Sequence, residues 1–293
     1  MKHAHLEVFE TSFQATDCYL TGEPYTGIVG AGGNWLTFDV FLPKCSNVKV
    51  CNVGDGQVKD DVGNFITNLN LDSKGKAQFR YYPPEYPTPY SLSHQLDVHS
   101  SGPPVYAMEV PIVLTYSDGN GDDKTIETKI HVCRPPVMLV HGFLGASGTW
   151  AEMSAWLRGL KFDTFSGNYL IPGKSIQDLA EILKSDIHNY KRDYAKAGIS
   201  LGQVDIVGHS MGGLIARFYV AGSPNYFNDV RKEIMVGTPN HGASWVDVQL
   251  GKFGASLYDV HKTPALQLYE ESDFMKMLNW GEKAGNHLNP AVQ

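Results

Sequence analysis

The stretch "VDIVGHSMGGLIARFY", Val204 to Tyr219, decides the fold. An apolar, β-branched run ends at a serine that stands between two glycines, Gly208 and Gly212, and a helical pattern begins at once. A strand that becomes a helix in one step forces the intervening residue into a strained backbone with positive φ, at a cost of roughly 1–3 kcal/mol. Glycines on either side remove the Cβ atoms that would collide across so sharp a turn. The expected result is a Ser210 hydroxyl held clear of the sheet at the positive end of a helix dipole, where a nucleophile and the oxyanion it creates are both assisted. An ordinary strand-to-helix turn needs neither glycine, so the reading of Ser210 as a core serine leaves both without a reason. His209, inside the motif, is read as a structural member of this nucleophile elbow.

Working outward, the chain on both sides repeats strand, loop, helix. "VMLV" precedes "GTWAEMSAWLRGL", "FDTFSGNYL" precedes "SIQDLAEILKSDIHNYKRDY", and "EIMVGTP" follows the elbow helix. In the long helix Ile176, Leu179, Ile182 or Leu183, Ile187, Tyr190 and Tyr194 recur every three to four residues, and Ser175 with Asp178 is a candidate N-terminal cap. Continuous apolar strands alternating with amphipathic helices predict a parallel sheet covered on both faces. Upstream, His141-Gly142-Phe143 follows an apolar strand, and Gly142 lets the backbone bend so that the Phe143 N–H can face the serine. With the Met211 N–H at the start of the helix, that makes two donors for a tetrahedral oxyanion.

Three motifs in order, "PVMLVHGFLGASGTW", "VDIVGHSMGG" and "IMVGTPNHGAS", make residues 134–293 resemble the α/β-hydrolase fold, and within it the bacterial triacylglycerol lipases and esterases. The resemblance implies an acyl-serine mechanism on a carboxylic ester with Ser210 as nucleophile, and Phe143 and Met211 as the oxyanion hole. His141 and Gly142 form the oxyanion loop. It implies no cofactor and no metal. The family's base comes late in the chain, so His141 and His209 are read as structural, and His241 as structural support or as a wall of the acyl pocket. The order expected of the fold is Ser, then Asp or Glu, then His. Asp259 and His261 stand two apart on a predicted helix and point apart, so they make no acid–base pair. His287 is a remote candidate base. The acid and base are expected beyond Gln293, and the domain is read as lacking its last strands. Ser244 to Val260 reads as a further amphipathic helix, either a cap over the acyl pocket or a sheet-covering element.

Up to Cys133 the grammar changes. "HLEVF", "WLTFDVFL", "NVKVC", "NFITNL", "AQFRYY", "YAMEVPIVLTY" and "KTIETKIHVC" alternate in character between Gly/Pro/Asn/Asp turns, with no helical period. That predicts an all-β sandwich over 1–133 and an α/β domain over 134–293, with "RPP" (134–136) at the switch. "NLDSKGKAQFRYYPP" (70–84) resembles bacterial Ig-like repeats of exported, surface-associated proteins, which implies an extracellular or cell-surface location and a surface or glycan partner. "SDGNGDDK" (117–124) alternates possible calcium ligands, but Asp123 occupies the loop-glycine position and Lys129 that of the bidentate Glu. A hairpin turn is the expectation there.

The bulk properties exclude several classes. A net charge of −7 without a Lys/Arg cluster argues against a nucleic-acid partner. The longest apolar runs fall short of the ~20 residues that span a bilayer, and the start "MKHAHLEVFE" contains no apolar signal-peptide core. Cys18, Cys45, Cys51 and Cys133 show no zinc-type spacing, which leaves disulfides of an exported domain and reduced core thiols open. The expected partner is an ester or lipid substrate of low charge. The alternatives are acyl transfer or thioester cleavage on the same machinery, and a catalytically inactive surface-binding or adhesion protein.

Overall fold

A computed structural model describes residues 5–11, 25–30, 34–118, 120–243 and 263–280. The chain divides into two compact units, residues 1–135 with 191–202, and residues 136–190 with 203–293.

The first unit is built of strands. They are β1 (His5–Thr11), β2 (Gly27–Val29), β3 (Leu36–Phe41), β4 (Ser46–Asn52), β5 (Gln57–Lys59), β6 (Asn68–Leu69), β7 (Lys76–Tyr82), β8 (His94–Leu96), β9 (Val105–Ser117) and β10 (Asp123–Cys133). One sheet runs β1-β3-β7-β5, all antiparallel. In the other, β2-β10-β9-β4-β6 lie side by side with β8 on β9, and Ile199–Ser200 pairs in parallel with β2. The period-two pattern does the packing. Leu36, Phe38 and Val40 of β3 point inward while Thr37 and Asp39 point out, and Phe38 stacks on Phe79 of β7 at 4.8 Å. Val110, Ile112, Leu114, Ile130 and Val132 of the second sheet join them in one core. Truncating Phe38 to alanine should cost about 3–5 kcal/mol.

Three turns of this unit share one construction. Asp60, Asp72 and Asp118 each begin an Asp-x-x-Gly segment, and each side-chain Oδ1 accepts the main-chain N–H groups two and four residues on, at 2.7–3.1 Å. The glycine three residues on sits at positive φ, 95° for Gly63, 78° for Gly75 and 87° for Gly121, and donates its N–H to the aspartate carbonyl. Those bonds hold each carboxyl below the usual carboxylate range, with the Asn64 side chain the first cause for Asp60 and main-chain N–H bonds for the other two. The 118–122 turn is therefore the hairpin expected, with Lys124 Nζ 3.9 and 3.8 Å from the carboxylates of Asp118 and Asp122. The strand expected over "NFITNL" shrinks to β6: Asn64 is taken up by the Asp60 turn, while Phe65 bridges Lys59 and the Ile66 N–H donates to the Val58 carbonyl. Cys45 and Cys51 are free thiols, Cys133 is buried on β10, and Cys18 lies outside the described residues.

The second unit holds β11 (Val137–Val140), a 3-10 turn (Ser147–Trp150), α1 (Ala151–Gly159), β12 (Thr164–Ser166), most of α2 (Ile176–Lys196), β14 (Val204–His209), α3 (Met211–Arg217), β15 (Val230–Val236) and α4 (Asp273–Trp280). β13 is the Ile199–Ser200 strand already placed in the first unit. The described sheet is parallel in the order β12-β11-β14-β15. Ser175 and Asp178 cap α2 reciprocally, the Asp178 N–H donating to Ser175 Oγ at 3.1 Å and the Ser175 N–H to Asp178 Oδ2 at 2.9 Å. Ile176, Leu179, Leu183, Ile187 and Tyr190 form its buried stripe, so Leu183 rather than Ile182 takes the core position. Arg231 of β15 clasps Asp205 of β14 in a buried bidentate pair. The predicted helix over 244–260 lies outside the described residues.

Candidate active site

Parallel register builds the site. Val140 of β11 pairs with Gly208 of β14, so the chain leaves both strands at the same edge, the carboxyl edge where open parallel sheets bind ligands. The segment after β11 is His141-Gly142-Phe143, and the segment after β14 is Ser210-Met211.

Ser210 has φ 52° and ψ −124°, the positive-φ conformation expected of the elbow. Its N–H donates to the Val236 carbonyl at 2.9 Å, and its own carbonyl accepts from Gly213 N–H at 3.0 Å. It occupies the N-cap position of α3, yet its hydroxyl makes no cap hydrogen bond. A serine at an N-cap ordinarily uses its oxygen for that bond. Here the Ser210 carbonyl, not its hydroxyl, takes up the Gly213 N–H, so the hydroxyl is not spent on the helix.

Close approach explains the glycines. A Cβ on Gly212 would strike the Val140 carbonyl oxygen and come within 2.7 Å of the His141 oxygen, and one on Gly208 would lie 2.7 Å from the Gly213 backbone. A Cβ on Gly142 would lie 2.8 Å from Ser210 Cβ, so the β11 loop and the serine are in direct contact. Gly213 faces the Thr238 side chain just past β15.

Around this contact His141 is fully buried, with Nδ1 2.9 Å from the Gly142 carbonyl and Nε2 accepting the Tyr169 N–H at 2.8 Å. His209 is exposed, its ring edge-on to Trp150 at a centroid distance of 6.4 Å. Met211 is buried at the first position of α3, where a main-chain N–H has no acceptor within the helix. The loop after β15, which holds Thr238, Asn240 and His241, is tied down by Arg217 of α3. Arg217 donates to the Asn240 carbonyl at 3.2 Å and to Asn279 Oδ1 of α4 at 3.0 Å. Nearby on β15, burial pushes the Glu233 carboxyl up to about 8, with Arg217 opposing the shift. His241 itself is exposed on that loop.

The structure thus gathers Gly208, His209, Ser210, Met211 and Gly212 with His141 and Gly142. Asp259, His261 and His287 lie outside the described residues. Among the described residues no cluster of three or more His, Cys, Asp or Glu side chains converges as a metal site, and no helix is long and apolar enough to cross a membrane. Sequence reading missed Trp150, Tyr169, Asp186 and Thr238. Trp150 and Thr238 lie inside quoted motifs without a role being read for them, and the contacts that reveal all four are distant in the chain: Trp150 with His209, Tyr169 with His141, Thr238 with Gly213, and Asp186 with Tyr169 across 17 residues.

Residues 135–254 match a family profile described as the alpha/beta hydrolase fold, and the second unit has that fold. No curated protein matches the chain. Among solved structures the chain is similar to phospholipase PlaB from Legionella pneumophila, at 19% identity over 50% of this chain and 35% of that one, TM-score 0.40. It is also similar to lipase BlEst2 from Bacillus licheniformis in its propeptide form (22%, 54% and 34%, TM-score 0.39). A third likeness is to Aspergillus fumigatus lipase B (22%, 50% and 34%, TM-score 0.37). The match spans about a third of the length of these proteins.

Proposed function

We propose that the protein hydrolyses carboxylic esters through a covalent acyl-Ser210 intermediate. The observation that carries this reading is a serine at φ 52° whose hydroxyl is not spent on capping the helix it precedes. Backbone strain of roughly 1–3 kcal/mol persists only where surrounding structure holds it, and such strain concentrates at working sites. In this reading Ser210 Oγ attacks the acyl carbon, the alcohol departs with a proton, and water then releases the acid. The Met211 and Phe143 amides hold the oxyanion, each contributing about 3 kcal/mol to the transition state. The apolar loop "GFLGAS" (142–147), without charge, favours a lipid or medium-chain ester over a charged substrate. The domain boundary near residues 134–136 and the Ig-like character of the strand-built unit belong to the same proposal.

Turnover of p-nitrophenyl esters of increasing acyl length by the full-length protein is the test. Ser210→Ala is expected to lower kcat by roughly 10⁶-fold, and a fluorophosphonate is expected to label Ser210 in the parent alone. Absence of hydrolysis across the whole ester series, or activity that survives Ser210→Ala, overturns the proposal.

A further inference from the structure

We infer that His141 is a positioning residue for this chemistry, holding the Gly142–Phe143 peptide so that the Phe143 amide is turned toward Ser210, with Tyr169 and Asp186 as its outer anchor. The inference rests on the acyl-serine reading above and names how one half of its oxyanion hole is kept in place.

The argument begins with the proton on His141. A main-chain N–H can only donate, so the 2.8 Å bond from the Tyr169 N–H makes Nε2 an acceptor and places the ring proton on Nδ1. The Asn168 Oδ1 atom, 3.3 Å from the same Nε2, is then a contact and not a hydrogen bond. Nδ1–H donates to the Gly142 carbonyl at 2.9 Å, and the Gly145 N–H donates to the same oxygen at 3.1 Å. In a trans peptide the N–H runs antiparallel to the C=O. Two donors on the Gly142 oxygen therefore set the direction of the Phe143 N–H, away from His141. The turn does not keep that direction by its own preference, because Leu144 sits at φ 59°, a conformation costly for a side chain branched beyond Cβ. With the other tautomer, Nδ1 would offer a lone pair to a carbonyl oxygen, and two acceptors repel.

The groups behind His141 are equally tied. Tyr169 is fully buried, its ring centroid 5.8 Å from that of His141, and its hydroxyl donates to Asp186 Oδ2 of α2 at 2.9 Å. Burial raises the Asp186 carboxyl above its ordinary range, with the bond from Tyr169 opposing part of the rise. A Cβ on Gly167 would lie 2.8 Å from the Tyr169 ring and 3.0 Å from Asp186 Oδ2, so the loop passes tight against both. The line Asp186, Tyr169, His141, Gly142 thus connects α2 to the oxyanion turn through polar bonds between buried or half-buried groups.

Two substitutions separate positioning from mere filling. The amide nitrogen of Asn falls where Nδ1 stands and keeps a donor for the Gly142 carbonyl, whereas the longer Gln matches the ring volume better and places its amide where Nε2 stands. His141→Gln is expected to lower kcat on a p-nitrophenyl ester by on the order of 10²-fold, with KM changed by less than about twofold, as for loss of one oxyanion donor. His141→Asn is expected to retain at least about tenfold more kcat than His141→Gln, although it leaves the larger void. Imidazole ¹⁵N NMR of the parent protein is expected to place the His141 proton on Nδ1 with Nε2 unprotonated. Gln outperforming Asn, or a proton on Nε2, overturns the inference. If the parent hydrolyses no ester, the acyl-serine reading fails while the NMR signature still decides the tautomer on which the clamp depends.

Discussion

The Asp-x-x-Gly turns of the strand-built unit and the Ser210 elbow of the α/β unit both pass through positive φ, and they do it with different residues. In the strand-built unit the positive-φ positions of the Asp-x-x-Gly turns are glycines, at 78–95°, and an aspartate three residues earlier supplies the acceptor that closes the turn. In the α/β unit the corresponding position is Ser210, at φ 52°, and the glycines stand two residues to either side. Glycine takes the conformation at little cost, so each Asp-x-x-Gly turn closes by local bonds alone. A serine does not, so its strain must be offset by neighbours from elsewhere in the fold. Val236, Val140 and the His141–Gly142 turn are those neighbours. The Asp-x-x-Gly turns, which only reverse direction, use the cheap residue, and the elbow that presents a hydroxyl keeps the costly one.

The sharpest break in this comparison comes from Gly212→Ala. Its new Cβ meets the Val140 and His141 carbonyl oxygens, which are backbone and cannot step aside. Destabilisation of about 3 kcal/mol or more is expected in chemical denaturation of the second unit, and a loss under ~1 kcal/mol would mean that the elbow is looser than described. Ser210→Gly should act in the opposite direction. It removes the strained side chain and raises stability by up to about 1–3 kcal/mol while abolishing ester turnover, and unchanged or lowered stability would show that the conformation stores little strain. Gly63→Ala tests the other unit at its plainest, since nothing lies within 4 Å of the added Cβ and only the φ of 95° opposes it. A cost of about 1 kcal/mol is expected, measured as a midpoint shift in urea.

The smallest effect concerns acid. Asp60, Asp72 and Asp118 have folded-state carboxyls held below the usual range, so the stability they contribute is present above the unfolded carboxylate value of about 3.9 and is lost as pH falls through the lower folded values. Melting of the strand-built unit should therefore decline on acidification below about pH 4, less steeply in Asp118→Asn. A melting profile identical in the variant and the parent would show that the Asp118 turn adds nothing to that dependence.

Much of this was legible in the amino-acid order, and the physical reason is locality. The strand-Ser-helix elbow, the Ser175–Asp178 cap, the buried stripe of α2 and the hairpin at 117–124 each depend on residues within a few positions of one another. The Asp-x-x-Gly signature at 60, 72 and 118 was equally local and would have placed three turns. What the residues alone left open involves partners far apart in the chain. Ile199–Ser200 joins β2 by parallel pairing, and residues 191–202 thereby group with the first unit instead of the helix pattern around them. The alternative between Ile182 and Leu183 was likewise settled by packing.

The sequence by itself therefore determined the α/β grammar of the second half, the strand grammar of the first, and Ser210 as the strained residue, because sterics and periodicity act over short spans. Only the tertiary structure decided which groups hold that residue and its neighbouring turn. The register of Val140 with Gly208 brings two distant loops edge to edge, and the Nδ1–H of His141 is set by the Tyr169 amide, 28 residues away. Hydrogen-bond partners at such separations carry no local signal, since the chain between them meets its own packing demands and leaves the pairing to the fold.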